Sequence, residues 1–161
     1  MSDKIFDIGI IGYGPVGATL SGLLSSLGLR VVVIEKNKGV SPTARAINTD
    51  SEQLRTFNFL SIATEVIANS RRLKKVHFTD SEFNPYSSID IPEEDKLGWP
   101  PTLLFYQPEL ETIIRSNNLK YKNLKILENT EAVNIESTDP IQVDIRNNRK
   151  DSPIYCKYLC L

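Results

Sequence analysis

The chain has 161 residues, of which 40% are hydrophobic and 24% charged, and its net charge is −1. That length suits one domain or a piece of a larger one, with a core able to hide roughly two-thirds of the unfolded surface. The charge balance gives no electrostatic case for nucleic acid or an acidic membrane surface. No apolar run approaches the ~20 residues needed to span a bilayer, and no basic-then-apolar leader opens the chain. The expected setting is the cytoplasm, with no membrane and no nucleic-acid partner.

The first stretch with a strong pattern is Ile5 to Glu35. Ile8, Ile10 and Ile11 form an uncharged apolar run, as expected of a strand buried on both faces of a parallel sheet. It runs into Gly12-Tyr13-Gly14-Pro15-Val16-Gly17, a G-x-G-x-x-G turn. In such a turn Gly12 allows the tight bend and Gly14 lets a pyrophosphate approach the backbone, while Gly17 brings the next helix close to the strand. Pro15 sits where the first helical position should fall, the one place its missing N–H costs nothing. Leu20, Leu23, Leu24 and Leu27 then recur at helical spacing and predict a single apolar face. Gly28 suits the residue just past the helix end, and Val31 to Ile34 predict a second buried strand. Glu35 follows Gly17 by 18 residues, near the roughly 20 expected of a carboxylate that binds an adenosine ribose. The helix start favours a phosphate in front of Gly14 to Val16. Strand, turn, helix, second strand and acid agree on a dinucleotide site; a tight turn in an unrelated α/β protein is the plainer alternative.

Lys36 to Thr43 reads as a loop, and Thr49-Asp50-Ser51-Glu52 has the spacing of a capping box that opens a helix. Leu54, Phe57 and Leu60 supply its apolar face, and a second short helix is expected over Ile62 to Asn69. Arg45, in the loop, could fork onto phosphate oxygens, although from spacing alone a surface arginine is the favoured reading. Leu73 to Thr79 suits a strand, with His77 in a structural rather than catalytic place. Residues 80–101 are loop-like and rich in proline, with a short strand expected over Ser88 to Ile91.

Leu103 to Tyr106 predicts a strand, and Gln107-Pro108-Glu109-Leu110-Glu111 opens a helix with Pro108 at its first position. Gln107, at that helix start, can cap it or donate and accept hydrogen bonds. The remainder reads as β structure: Leu124 to Leu127, Glu131 to Glu136, the strictly alternating Ile141, Val143 and Ile145, a polar turn at Asn147 to Asp151, and Ile154 to Leu161. The last three strands predict an antiparallel meander laid against the parallel sheet. Cys156 and Cys160, both on one side of a strand, lie about 13 Å apart there, too far for a disulfide. Buried, reduced thiols are expected, and no metal site.

Three separated segments, GYGPVGATLSGLLSSLGLRVVVIEK, PTARAINTDSEQLRTFNFLSI and FYQPELETIIR, together resemble the N-terminal part of FAD-dependent aromatic hydroxylases. The nearest likeness is to 3-(3-hydroxyphenyl)propionate hydroxylase-like monooxygenases, and it spans about Ile5 to Leu161. The resemblance implies an α/β fold: a Rossmann-like FAD-binding domain over residues 1–161 with a parallel sheet, flanking helices and a β meander, and 80–101 as a loop-rich insertion. It implies that Gly12, Gly14, Pro15, Val16 and Gly17 present backbone to the FAD pyrophosphate. Glu35 would bind the adenosine ribose with Lys36 beside it, Arg45 would lie along the cofactor, and Gln107 would approach its ribityl or flavin end. The reaction implied is oxygen transfer from O2 to a small phenolic substrate, with NADH or NADPH as reductant. The later Asp-Gly and Gly-Asp motifs of such enzymes, and their substrate domain, are absent, and the chain stops inside an apolar strand. A truncated gene product is the expectation, and no residue earns a catalytic role. The alternatives are a non-catalytic nucleotide-binding fragment and an NAD-dependent dehydrogenase, for which Glu35 would favour NAD over NADP.

Overall fold

A computed structural model of the protein describes residues 5–147 and 153–161. In chain order its elements are β1 (Ile5–Ile11), α1 (Pro15–Ser26), β2 (Val31–Ile34), β3 (Asn48–Asp50), α2 (Ser51–Phe59), α3 (Ala63–Ala68), β4 (Arg71–Arg72) and β5 (Lys75–Thr79). Then follow β6 (Pro85–Asp90), β7 (Thr102–Leu104), α4 (Gln107–Asn118), β8 (Leu124–Leu127), β9 (Glu131–Glu136), β10 (Ile141–Arg146) and β11 (Ile154–Cys160). The chain divides into two compact units: Met1–Pro42 with Ile114–Leu161, and Thr43–Ile113.

The first unit is built on a six-stranded sheet in the order β8-β2-β1-β11-β10-β9. β8, β2, β1 and β11 run parallel, while β10 pairs antiparallel with both β11 and β9. The meander expected as a separate layer is therefore a continuation of the parallel sheet. The reason is pairing: β11 takes the free edge of β1 and carries the other two strands into the same plane. The predicted turn at Asn147 to Asp151 falls, beyond Asn147, mostly outside the described residues. β2 is buried at all four positions, as an uncharged central strand of a parallel sheet must be.

One face of the sheet carries α1. The helix lies so close that its buried residues are Ala18, Thr19, Ser21, Gly22 and Ser25, not the leucines. Leu20, Leu23 and Leu24 are half-buried and Leu27 is 66% exposed. Periodicity found a real helix but chose the wrong face, because close helix–strand approach admits only small side chains. The helix ends as expected, at Gly28: its N–H reaches the Ser25 carbonyl and that of Leu29 the Leu24 carbonyl, closing the last turn. Asn123 Nδ2 also donates there, to the carbonyls of Ser25 and Leu29. On the opposite face Ile34, Val143 and Ile145 form a core cluster, with Ile11, Leu127 and Leu159 among the residues packed on it. Cys156 is buried and Cys160 half-buried, and both thiols are free. At the strand starts Asp7 accepts from Lys157 Nζ at 2.8 Å and from the Arg30 backbone at 2.9 Å. These partners hold its carboxyl well below the usual carboxylate range.

The second unit holds a three-stranded sheet, β3-β7-β4, and a separate hairpin, β5-β6. Its buried side chains include Leu54, Phe57, Leu60, Ile62, Val66 and Leu103. α2 is capped one residue later than the capping-box spacing predicts. Asp50 is the cap and accepts from the Gln53 N–H at 2.8 Å, because Thr49 is held in β3 opposite Leu103. Residues 80–101 are less irregular than their composition suggests: β6 fills Pro85–Asp90 and pairs along β5. Proline is tolerated there because it opens the strand. Pro108 is the second residue of α4, not the first, and still lies in the first turn where no N–H is needed.

Candidate functional site

β1 and β2 end side by side, and their carboxyl ends carry the glycine turn and Glu35. In parallel α/β sheets ligands gather at such strand ends. The three turn glycines are there for three different reasons. Gly12 has φ +102°, a conformation that side chains rarely adopt, and its N–H donates to the Ile34 carbonyl at 2.8 Å. At Gly17 a Cβ would stand 2.1 Å from the Gly12 carbonyl oxygen, so only glycine lets α1 lie where it does. Gly14 has neither constraint. Its φ of −73° suits any residue, and a Cβ there would meet nothing within 4 Å. Gly14 is the N-cap of α1 and offers no side chain to the helix, whose first residue is Pro15. The first backbone N–H groups of α1 therefore face outward with the positive end of its dipole, next to an 81%-exposed Val16.

Glu35 is 9% exposed and ties this turn to the loop after β2. Its Oε2 accepts from the Tyr13 N–H at 2.8 Å, and its Oε1 from the Asn37 N–H at 2.8 Å and Asn37 Nδ2 at 2.9 Å. Burial pushes the carboxyl up, but the Asn37 and Tyr13 hydrogen bonds and the charge of Arg115 outweigh it and leave it lowered. Glu35 is thus a carboxylate at neutral pH. Three of its about four acceptor sites are filled, and one remains on Oε2. Lys36 beside it is exposed.

Tyr13, the side chain between two glycines, is 2% exposed. The Arg115 guanidinium lies 4.6 Å from its ring centroid and donates to its carbonyl oxygen. Asn118 Nδ2 donates to the Tyr13 hydroxyl at 3.1 Å and to the Ala18 carbonyl at 2.8 Å. Arg115 also pairs with Glu128 at 3.2 Å. The sequence places Arg115 and Asn118 only at the end of the Gln107 helix and gives no site role to them, to Tyr13 or to Glu128, which lie about a hundred residues from the turn or carry no local motif. One signal was available: Gln107, Glu111, Arg115 and Asn118 recur at i, i+4, i+8 and i+11 and form a polar stripe on α4.

In the second unit the two motifs that carry Arg45 and Gln107 meet. Gln107, 6% exposed, accepts on Oε1 from the N–H groups of Arg45 at 2.7 Å and Ala46 at 2.9 Å. Its Nε2 donates to Glu111 Oε1 at 2.8 Å, and Glu111 is 2% exposed. Gln107 therefore latches the loop that bears the exposed Arg45 side chain, a role that spacing did not reveal. His77 is exposed on β5 opposite Ser88. Among the described residues no group of three or more His, Cys, Asp or Glu could hold a metal ion, and no helix is long and apolar enough to cross a membrane.

Residues 6–160 match the family described as FAD binding domain. A probable NADH-specific resorcinol 4-hydroxylase of Rhodococcus jostii is 31% identical over 69% of this chain and 21% of its own length. A 3-(3-hydroxy-phenyl)propionate/3-hydroxycinnamic acid hydroxylase of Paraburkholderia xenovorans is 30% identical over 86% of this chain and 22% of its own. The chain thus spans about a fifth of the length of these relatives. Among solved structures, a p-nitrophenol 4-monooxygenase of Pseudomonas putida superposes with a TM-score of 0.87 at 20% identity, over 96% of this chain and 40% of its own. Aklavinone-11 hydroxylase, solved with FAD and aklavinone, gives 0.82 at 18% identity over 99% of this chain and 33% of its own. At these identities the two structures speak for the fold.

Proposed function

This chain belongs to the family of FAD binding domains, and from that premise we propose that it is the FAD-binding part of a flavin-dependent monooxygenase that hydroxylates phenolic compounds. The observation that carries this reading is Gly14, a glycine that neither its backbone angles nor its neighbours require. A side chain there would occupy the space in front of α1, where a pyrophosphate would stand. The printed activities of the relatives, on resorcinol and on 3-hydroxyphenylpropionate, support a small phenolic substrate. One of those names specifies NADH, which favours NADH over NADPH as reductant. Bound FAD would supply the redox chemistry by which one oxygen atom of O2 enters the phenolic ring.

The chain's own residues bind and orient. The N–H groups of Gly14, Val16 and Gly17 are offered to the pyrophosphate by a turn that Gly12 bends and Pro15 starts into helix. The remaining acceptor site of Glu35 takes a ribose hydroxyl, with the Lys36 ammonium next to it. Arg45 lies along the cofactor, and Gln107 acts on it by fixing the loop of Arg45. Both units together, residues 1–161, make up the FAD-binding domain, with 80–101 as an insertion. Hydroxylation belongs to the whole protein of which such a domain is part. The test is a titration of the purified chain with FAD, followed by flavin fluorescence, with NAD as competitor. Bound flavin that NAD does not displace is the expected result; preference for NAD would instead make this a dehydrogenase domain.

A further inference from the structure

We propose that Arg115 is the positioning residue of the glycine turn, holding the Tyr13 peptide so that the flanking backbone N–H groups are set before a dinucleotide arrives. The inference rests on reading the turn as the FAD pyrophosphate site and adds to it residues outside every motif. The turn needs such a hold because it is rich in glycine. Gly12 and Gly14 pay more backbone entropy to be fixed than any other residue, so rigidity must come from the side chain between them.

Tyr13 is fixed at every group it has. Glu35 takes its N–H, Asn118 donates to its hydroxyl, and Arg115 both covers its ring and donates to its carbonyl. Arg115 alone contacts two of these groups. It can do so because a guanidinium is planar: it stacks on an aromatic face while its N–H groups point outward in its own plane. Glu128 receives Nη1 and also accepts from the Gly39 N–H at 3.2 Å, so the guanidinium is anchored from the far side. Only 13% of the Arg115 side chain is exposed, so its charge is held among protein groups rather than in water. A lysine would keep the charge beside Glu128 but could neither stack as a plane nor fork.

The experiment compares the native 161-residue chain with Arg115→Lys and Arg115→Met. Amide hydrogen exchange of Gly12 and Tyr13 is read without ligand, and FAD affinity is read by fluorescence titration. Both variants are expected to keep the protection of β1 and β2 while Gly12 and Tyr13 exchange faster. FAD affinity is expected to fall about tenfold or more, since pre-organisation is what has been lost. Full rescue by lysine would overturn the proposal and make charge alone the contribution of Arg115. Unchanged exchange at the turn would also overturn it. If Arg115→Met does not fold, Arg115→Lys decides the matter by itself. Faster exchange at the turn in a protein whose native form binds no FAD would support the hold on Tyr13 and count against the cofactor reading alone.

Discussion

Alanine in place of Gly17 is expected to remove the cooperative melting transition of the chain. The added Cβ would lie 2.1 Å from the Gly12 carbonyl oxygen and 3.1 Å from its carbon. Both atoms are backbone, at a residue whose own conformation is restricted to glycine-like angles, so they cannot swing aside as a side chain tip would. α1 would have to lift off β1, and with it the small-residue face of Ala18, Ser21 and Gly22 would lose its packing. Overpacking a core costs about 1–3 kcal/mol where side chains can adjust. Against backbone the cost should exceed that range, a large share of the ~5–15 kcal/mol that holds a domain together. Circular dichroism during heating is the measurement. A Gly17→Ala chain that melts within about 2 °C of the native one would show that helix and turn are not packed as described.

The second large effect is expected at Glu35. Replacing it with lysine puts an ammonium against the N–H groups of Tyr13 and Asn37, all donors, and removes the partner that ties the turn to the next loop. Hydrogen bonds to a charged group are worth about 1.5–3 kcal/mol each, so the loss of stability should be several times that of an ordinary surface change. FAD binding should vanish with it. Glutamine keeps the shape but must aim its NH2 at one set of donors, and an intermediate loss is expected. The acid side of the stability profile provides an independent check. The folded carboxyl titrates below its unfolded value of about 4.3, so in that window the unfolded chain binds more protons and stability rises with pH. Its contribution is complete above the unfolded value and is lost as the pH falls through the folded one. Glu35→Gln should flatten that part of the curve. An unchanged curve would mean that the carboxylate is not held as the hydrogen bonds indicate.

The unit from Ile5 to Glu35 was legible because each of its constraints is local. A glycine at the bend, a proline one residue into the helix and a glycine past its end act within a few positions, and all three stand where the sequence puts them. The buried face of α1 was not legible in the same way. Leucine spacing points to one side, but the Gly17 contact, which depends on the fold, chooses the other. The start of α2 moved by one residue for a similar reason, since pairing of Thr49 with Leu103 lies 54 residues away in sequence. Arg45 and Gln107 were singled out individually; that one holds the backbone of the other follows only from their being brought together. Tyr13 occupies a position of the glycine motif that carries no requirement of its own, so nothing local marks it as buried. Its partner Arg115 stands 102 residues on, where no spacing rule reaches.

The most direct test of the cofactor site is FAD affinity of the native chain against Gly14→Val, each also melted without ligand. At Gly14 the backbone accepts any residue and the added side chain meets no protein atom. The two forms should therefore melt alike, the native chain should bind FAD, and the valine form should not. A valine form that binds FAD as tightly as the native chain would contradict the placement of the pyrophosphate at this turn.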